Sequence, residues 1–456
     1  MVLRHVDSEG RDDGPPPLDD DDLLPEILLR LSPQPSSLPR ASLVCKRWRR
    51  LVSDTGFSRR FRLRHRRNLP LLGFFDRHLS FSPTLEAPNR VPPGRFSLQR
   101  DDDDDDHFVP LGCRHGLVLI YILARLQILV WDPITADQHY IAIPPAAVAC
   151  ASKTPVNGAV LRAAGDVQHF QVVLVVAYDD DEQHRRVLAC VYSPKTGLWG
   201  DPISTCQAVQ VDVISFPTLV STNVAVLAGD SLHWLLAGNF NGILEFDLEK
   251  QRLAVIQLPD EVNCWKLMRA EGGGLGLLGM SNSNCNTQLW KPKTYCDGVA
   301  SWVLGRTIDL ENILPLKPAE KGAIVILALA EDNNVLLLWT IIGLFVVDLE
   351  SLKFKKLFET MIVSHYYPFE SVYTAETDIG GGHSGWTRSG PVRSLTEPVL
   401  GPAAGGPDRT GPSSLAVWFS RTGPMVEKPE PDREDRLTTT GGEVVTMASA
   451  RDTWGT

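Results

Sequence analysis

Asp21 to Phe57 reads DDLLPEILLRLSPQPSSLPRASLVCKRWRRLVSDTGF, and this stretch divides the chain. Leu24, Ile27, Leu28 and Leu31 fall at i, i+3, i+4 and i+7, the apolar stripe of an amphipathic helix. Asp19 to Asp22 suit the positive end of its dipole, and Pro25 sits in the first turn, where proline is tolerated. Ser32-Pro33-Gln34-Pro35-Ser36 then breaks the pattern. A second helical pattern runs through Ala41, Val44, Cys45, Trp48, Leu51 and Val52, with Ser36 or Ser37 as its N-cap and arginines mostly on the other side. So short a segment cannot bury these leucines and a tryptophan by itself. Either it caps the rest of the chain, or another protein completes its stripes.

The residues carry a resemblance. Leu23-Leu24-x-Glu26-Ile27-Leu28-x-x-Leu31-x-Pro33, then Val44-Cys45-Lys46-x-Trp48-Arg49-x-Leu51, then Asp54 and Phe57, is similar to an F-box of the plant type. One position departs from it: where the family opens with Leu-Pro, this chain has Asp19, with Leu18 one residue early. The resemblance implies a surface that docks a Skp-type adaptor through Leu23, Leu24, Pro25, Ile27, Leu28, Leu31, Leu43, Val44, Cys45, Trp48 and Leu51. That adaptor bridges to the cullin and RING subunits of an SCF ubiquitin ligase.

Residues 1–17 are polar and proline-bearing, and disorder is expected there. After the F-box-like stretch, Asp54 can cap a spacer helix reaching Arg67, with Phe57 and Phe61 inward and six arginines from Arg59 to Arg67 forming a solvated face. The helical region is therefore expected over residues 18–67. From Leu69 the grammar changes. Apolar runs of five to eight residues, among them Leu117–Ile122, Leu275–Met280 and Val335–Thr340, alternate with Gly, Pro, Asn and Asp clusters. Many short strands with few helices indicate an antiparallel all-β architecture.

A weak repeat sharpens that expectation. Apolar runs end at Trp131-Asp132-Pro133, Tyr192-Ser193-Pro194, Phe246-Asp247-Leu248, Trp290-Lys291-Pro292 and Val347-Asp348-Leu349, spaced 61, 54, 44 and 57 residues apart. Periods near ~50 suggest propeller blades, each a four-stranded sheet that cannot bury its faces alone. Residues 68–375 leave room for about six blades. Leu289-Trp290, Ser301 to Arg306 and Leu336 to Thr340 make this half similar to the F-box-associated β-domain of plant proteins. The fold expected is thus a multidomain α plus all-β chain: a short N-terminal helical F-box, then an antiparallel β-propeller-like domain. Residues 376–456 hold 13 Gly and 8 Pro, repeat Arg-[Ser/Thr]-Gly-Pro at Arg388, Arg409 and Arg421, and are expected to form a disordered tail.

Catalytic and cofactor signatures are weak. Gly274-x-Gly276-x-x-Gly279 fits a dinucleotide fingerprint only on paper, because it starts in a turn and continues into a strand. Cys113 and His115 are the one pair near zinc-ligand spacing, and a turn entering the strand at Leu117 accounts for them better. The run Asp101 to Asp106 lacks the Gly and distal Glu of a calcium loop. Eight cysteines without a CxxC pair read as reduced thiols. A net charge of −10 argues against nucleic acid or an anionic membrane as partner. The N-terminus has no apolar signal segment, and the tract Gly322 to Val347 is interrupted by Glu331-Asp332-Asn333-Asn334, which reads as two strands around a turn.

The expected function is therefore a non-catalytic target-recognition adaptor, with no metal or cofactor, in the cytoplasm or nucleus. Two other readings stay open: an enzyme or small-molecule sensor built on a propeller, and an F-box protein acting outside a ligase. The target protein and its site on the β-domain are not legible.

Overall fold

The computed structural model describes residues 22–374 apart from 99–106, 152–153, 163–168, 180–184, 206–218, 222, 238–241, 259–264, 281–285, 295–299, 318–319 and 321–323. The expected disorder at residues 1–17 and 376–456 and the Asp101 to Asp106 run lie outside the described residues.

Four short helices open the described chain: α1 (Leu23–Leu28), α2 (Ser37–Ser42), α3 (Lys46–Val52) and α4 (Thr55–His65). The single helix expected from Ala41 to Val52 is two. Leu43 and Val44 N–H groups bond back only three residues, to Arg40 and Ala41, and Cys45 then turns extended (φ −159°, ψ 171°) to open α3. Ser36 precedes α2 without a side-chain cap bond, whereas the Asp54 carboxylate caps α4 by accepting from Phe57 N–H at 2.7 Å. Phe57 and Phe61, one turn apart, stack at 6.2 Å. They join Leu24, Leu28, Leu29, Leu38, Ala41 and Val52 in one small core. Leu69 and Val372, from the two ends of the β region, complete that core.

The β region is six antiparallel sheets. In chain order, blade 1 comprises Phe108–Arg114, Leu117–Ile122, Gln127–Trp131 and Gln138–Ala142. Blade 2 begins with Val156–Arg162, Phe170–Asp179 and Arg185–Ser193, and blade 3 is centred on Ser231–Ala237, Gly242–Asp247 and Arg252–Gln257. Blade 4 holds Trp265–Arg269, Leu275–Met280, Asn286–Thr294 and Ala300–Asp309; blade 5 holds Val325–Ala330, Val335–Thr340, Gly343–Asp348 and Phe354–Phe358. The closing blade takes two strands from the start of the region, Leu71–Asp76 and Phe81–Pro83, and its innermost strand, Tyr366–Glu370, from the end. That last strand packs beside the first strands of blades 1 and 5, so the ring is a closed six-bladed β-propeller.

Alternation explains why the ring holds. Along Leu117–Ile122, Val118, Ile120 and Ile122 enter a core shared with the closing blade, while Leu117, Leu119 and Tyr121 enter one shared with blade 2. Successive blades repeat this arrangement, so each of the six junctions has its own apolar cluster. The closure is aromatic: Phe369 lies 5.2 Å from Phe75 and 5.3 Å from Phe96, ring to ring.

The repeat found in the sequence is the exit from the third strand of each blade. Asp132, Asp247 and Asp348 accept backbone N–H groups two residues on, from Ile134 (3.0 Å), Glu249 (3.1 Å) and Glu350 (3.0 Å). Four residues after each aspartate, and after Ser193, the chain turns left-handed: Ala136 (φ 63°), Gly197 (φ 69°), Gln251 (φ 50°) and Leu352 (φ 56°). Blade 4 departs, because Asn286–Thr294 runs through Trp290-Lys291-Pro292 over a bulge. The expected strands at Leu117–Ile122, Leu275–Met280 and Val335–Thr340 appear with those bounds, and the glycines from Gly274 to Gly279 lie on a hairpin. Several innermost strands were missing from the expectation, among them Phe108–Arg114, Val156–Arg162, Trp265–Arg269 and Tyr366–Glu370. Among the described residues no helix is long and apolar enough to cross a membrane.

Candidate functional site

The helical unit separates the residues of the docking stripe into two groups. Leu24 and Leu28 are each 1% exposed and lie in its core, where they offer no surface to a partner. Leu31, Trp48 and Leu51 pack on that core half-buried, and Pro25 and Ile27 are half-buried in α1. Leu43 (75% exposed), Val44 (62%) and Leu23 (47%) stand out into solvent, as does Cys45. Three of these are consecutive, in the turn between α2 and α3. Helical periodicity identifies the face a helix buries, so it selected the core; the exposed apolar residues lie where the helix breaks. Their signal was an apolar run, Leu43-Val44-Cys45, at a turn that no intrachain packing requires.

The spacer helix is fastened at both ends. His65 Nε2 donates to the Leu29 carbonyl at 3.0 Å, tying α4 back to the end of α1. Arg62 does not belong to a solvated face. It points at the blade 1 turn carrying Asp132 and Asp137, with Arg162 of blade 2 beside them; burial holds its guanidinium below its ordinary pKa. Arg162 Nη2 itself donates to Asp132 Oδ2 at 2.6 Å. Arg60 pairs with Glu26 across the helices. Ser36 N–H donates to Asn89 Oδ1 at 3.2 Å, a further link to the ring.

A second cluster gathers on this same side of the ring, where the innermost strands end. Innermost strands end in Arg114, Arg162, Arg269 and Glu370, and Glu331 and Asp332 follow the innermost strand of blade 5. Arg114 pairs with Glu331 and donates to the Ala225 carbonyl at 2.6 Å. Arg269 Nη2 donates to Asp332 Oδ1 at 2.6 Å. Glu370 accepts from the N–H groups of Asp332 (3.1 Å) and Asn333 (2.9 Å) and from Asn333 Nδ2 (2.7 Å). Asn333 Nδ2 also reaches the Leu69 carbonyl at 2.8 Å, where the helical unit enters the ring. Burial, with Asp332 next in weight, raises the Glu370 carboxyl to about 7. Burial lowers His115 to about 4, in keeping with its Nδ1 accepting from Arg162 N–H at 3.2 Å. The cavity among them, partly open to solvent, measures about 30 Å³, room for a water molecule. It is lined by Cys113 among these charges, and among the described residues no cluster of three or more His, Cys, Asp or Glu is arranged to hold a metal. The charges were visible in the sequence as single polar ends of apolar runs; only ring closure brings them together.

Residues 111–374 match the family described as F-box protein AT5G49610-like, beta-propeller. The chain belongs to that family. Residues 21–64 match the F-box-like family, so the helical unit is an F-box. A curated relative, the putative F-box/kelch-repeat protein At1g15680 of Arabidopsis thaliana, is 23% identical over 311 residues, covering 64% of this chain and 72% of the relative. Among solved structures, AztD from Citrobacter koseri overlaps 65% of this chain and 81% of its own at 10% identity and a TM-score of 0.31. The Cps50 (Swd1) beta-propeller domain of Myceliophteria thermophila overlaps 54% and 70% at 11% identity and a TM-score of 0.28.

Proposed function

We propose that this F-box/β-propeller chain is the target-recognition subunit of an SCF-type ubiquitin ligase. Its F-box docks a Skp-type adaptor, the adaptor carries the cullin and RING subunits, and the propeller holds a target protein. The observation that carries this reading is the row Leu23, Leu43, Val44 and Cys45: apolar, exposed, and left over from a helical core that is complete without it. The chain itself does no bond chemistry on this reading. It acts by proximity, since tethering a target near the loaded conjugating enzyme raises the effective concentration of its lysines. The fastening of α4 to the ring supports that role, because a defined angle between F-box and propeller fixes where the target sits. The cytoplasm or nucleus, where such ligases work, is the compartment proposed.

The test is co-purification of the full chain with a Skp-type adaptor. Replacing Leu43 and Val44 together by Ser should weaken adaptor binding at least a hundredfold, as loss of a central apolar contact does, with the melting temperature unchanged. Retention of the adaptor by that variant would overturn the docking assignment. Leu28→Ala is the poorer probe: its side chain is internal, so any loss of binding would also report damage to the fold.

A further inference from the structure

The far face of the propeller carries the clearest unexplained surface. All innermost strands end on the F-box side, so the turns that join second to third strands, and fourth strands to the next blade, lie on the opposite side. On blade 5 two such turns meet. Gly343 (φ +126°) approaches Phe358 so closely that a Cβ there would sit 2.5 Å from its carbonyl oxygen. Trp339 Nε1 donates to the Thr360 carbonyl at 3.1 Å, and Thr360 Oγ1 accepts from Ile362 N–H at 3.1 Å. This holds the segment after Phe358 against the turn at Ile341. The result is an apolar cluster open to solvent: Met361 and Ile362 are each 71% exposed, with Val363, Ile341 and Phe358 beside them. Contiguous exposed apolar side chains of this kind mark interaction sites.

Charge and area indicate the occupant. His365, two residues beyond the cluster, feels Lys266 and Arg77 as neighbouring positive charges. Among the described residues, Glu359 pairs with Lys356 at 2.8 Å, Asp76 accepts from the N–H groups of His78 and Ser80 and bears on Tyr366, and Lys266 itself donates to Asn223 Oδ1. The charges of described residues that act on His365 are thus both positive. Five side chains offer well under the ~800 Å² per partner of a stable protein–protein interface, which fits an extended segment better than a second copy of this chain.

Resting on the target-recognition reading, we propose that this far-face cluster is the target site, and that it takes an extended peptide segment with apolar residues followed by Asp or Glu. The apolar residues pack on Met361, Ile362 and Ile341, and the carboxylate faces Arg77, Lys266 and His365.

The test is selection from a phage library of random dodecapeptides on the purified full chain, counter-selected on a variant carrying Met361→Ser, Ile362→Ser and Val363→Ser. These side chains are exposed, so the variant should melt with the wild type and keep its adaptor. Peptides enriched only on the wild type should carry clustered apolar residues beside Asp or Glu. As synthetic fluorescent peptides they should bind the variant at least tenfold more weakly and lose affinity when the acids become Lys. No enrichment, equal binding to the variant, or basic peptides would overturn the proposal, as would concentration-dependent self-association abolished by the same substitutions. Adaptor co-purification is read separately, so loss of the peptide site and failure of the ligase reading are distinguishable.

Discussion

The F-box and the propeller dispose of their apolar side chains in opposite ways. The helical unit has one small core, shared with Leu69 and Val372, and leaves Leu23, Leu43 and Val44 outside it. The ring divides its apolar residues among six junctions, and one of its middle strands, Leu117–Ile122, is buried along its whole length. A ring of blades has no spare apolar face, because every sheet is covered on both sides by its neighbours. Exposed apolar residues stand outside complete cores in both regions: in the helical unit as a row at the turn between α2 and α3, and on the ring as a cluster where two far-face turns meet.

The largest effect should come from the closure of the ring. Phe369 is fully buried among Phe75, Phe81 and Phe96, on the one blade whose strands come from both ends of the domain. Phe369→Ala should destabilise the chain by ~3–5 kcal/mol in urea unfolding. Leu43→Ala, on the exposed row, should stay within about 0.5 kcal/mol of wild type. Equal costs at the two positions would break the contrast between them.

A smaller, pH-dependent effect tests the joint between the regions. Glu370 has a folded pKa of about 7 against an ordinary 4.5, so the folded state holds its proton more tightly than the unfolded state does. The stability contributed by that proton is fully present below pH 4.5 and is lost as the pH rises through 7. Glu370→Gln keeps a carbonyl to accept from Asp332 and Asn333 but cannot ionise. It should raise the unfolding free energy measured in urea at pH 8 by on the order of 1–3 kcal/mol, and change it little at pH 4.5. An equal shift at both pH values would show that packing, not ionisation, governs the site.

The same contrast governed what could be read from the chain. The F-box was legible as a motif because its residues and spacings are local. The blades were legible through the apolar runs of their second strands and through their third-strand exits, where in three blades an aspartate accepts N–H groups of the following turn. Innermost strands escaped because they line the channel and pack edge to edge. Val156–Arg162 carries Asn157, whose amide donates to the carbonyls of Ser221 (2.6 Å) and Asn223 (2.9 Å). Tyr366–Glu370 includes a proline and ends in a buried acid. Such strands take their polar residues from neighbours distant in sequence, and no period of two betrays them. The charged ring at the channel mouth was unreadable for the same reason, since Arg114 and Glu331 meet only when the blades close.

The smallest effect concerns those third-strand turns. Four equivalent positions, Ala136, Gly197, Gln251 and Leu352, adopt left-handed backbone, yet only one is glycine. An L-residue in that region costs roughly 1–2 kcal/mol relative to right-handed backbone, whereas glycine adopts it freely. Glycine also has more freedom to lose on folding, which takes back about 0.5–1 kcal/mol. Ala136 is the clean case, being exposed with only a methyl group to remove. Ala136→Gly should therefore stabilise the chain by a few tenths of a kcal/mol up to about 1 kcal/mol. Leu352→Gly should gain less or lose, because Leu352 packs on the core between blades 4 and 5. Paired melting curves decide it: a destabilised Ala136→Gly variant would mean that the turn is held by its aspartate bonds with no strain left to relieve.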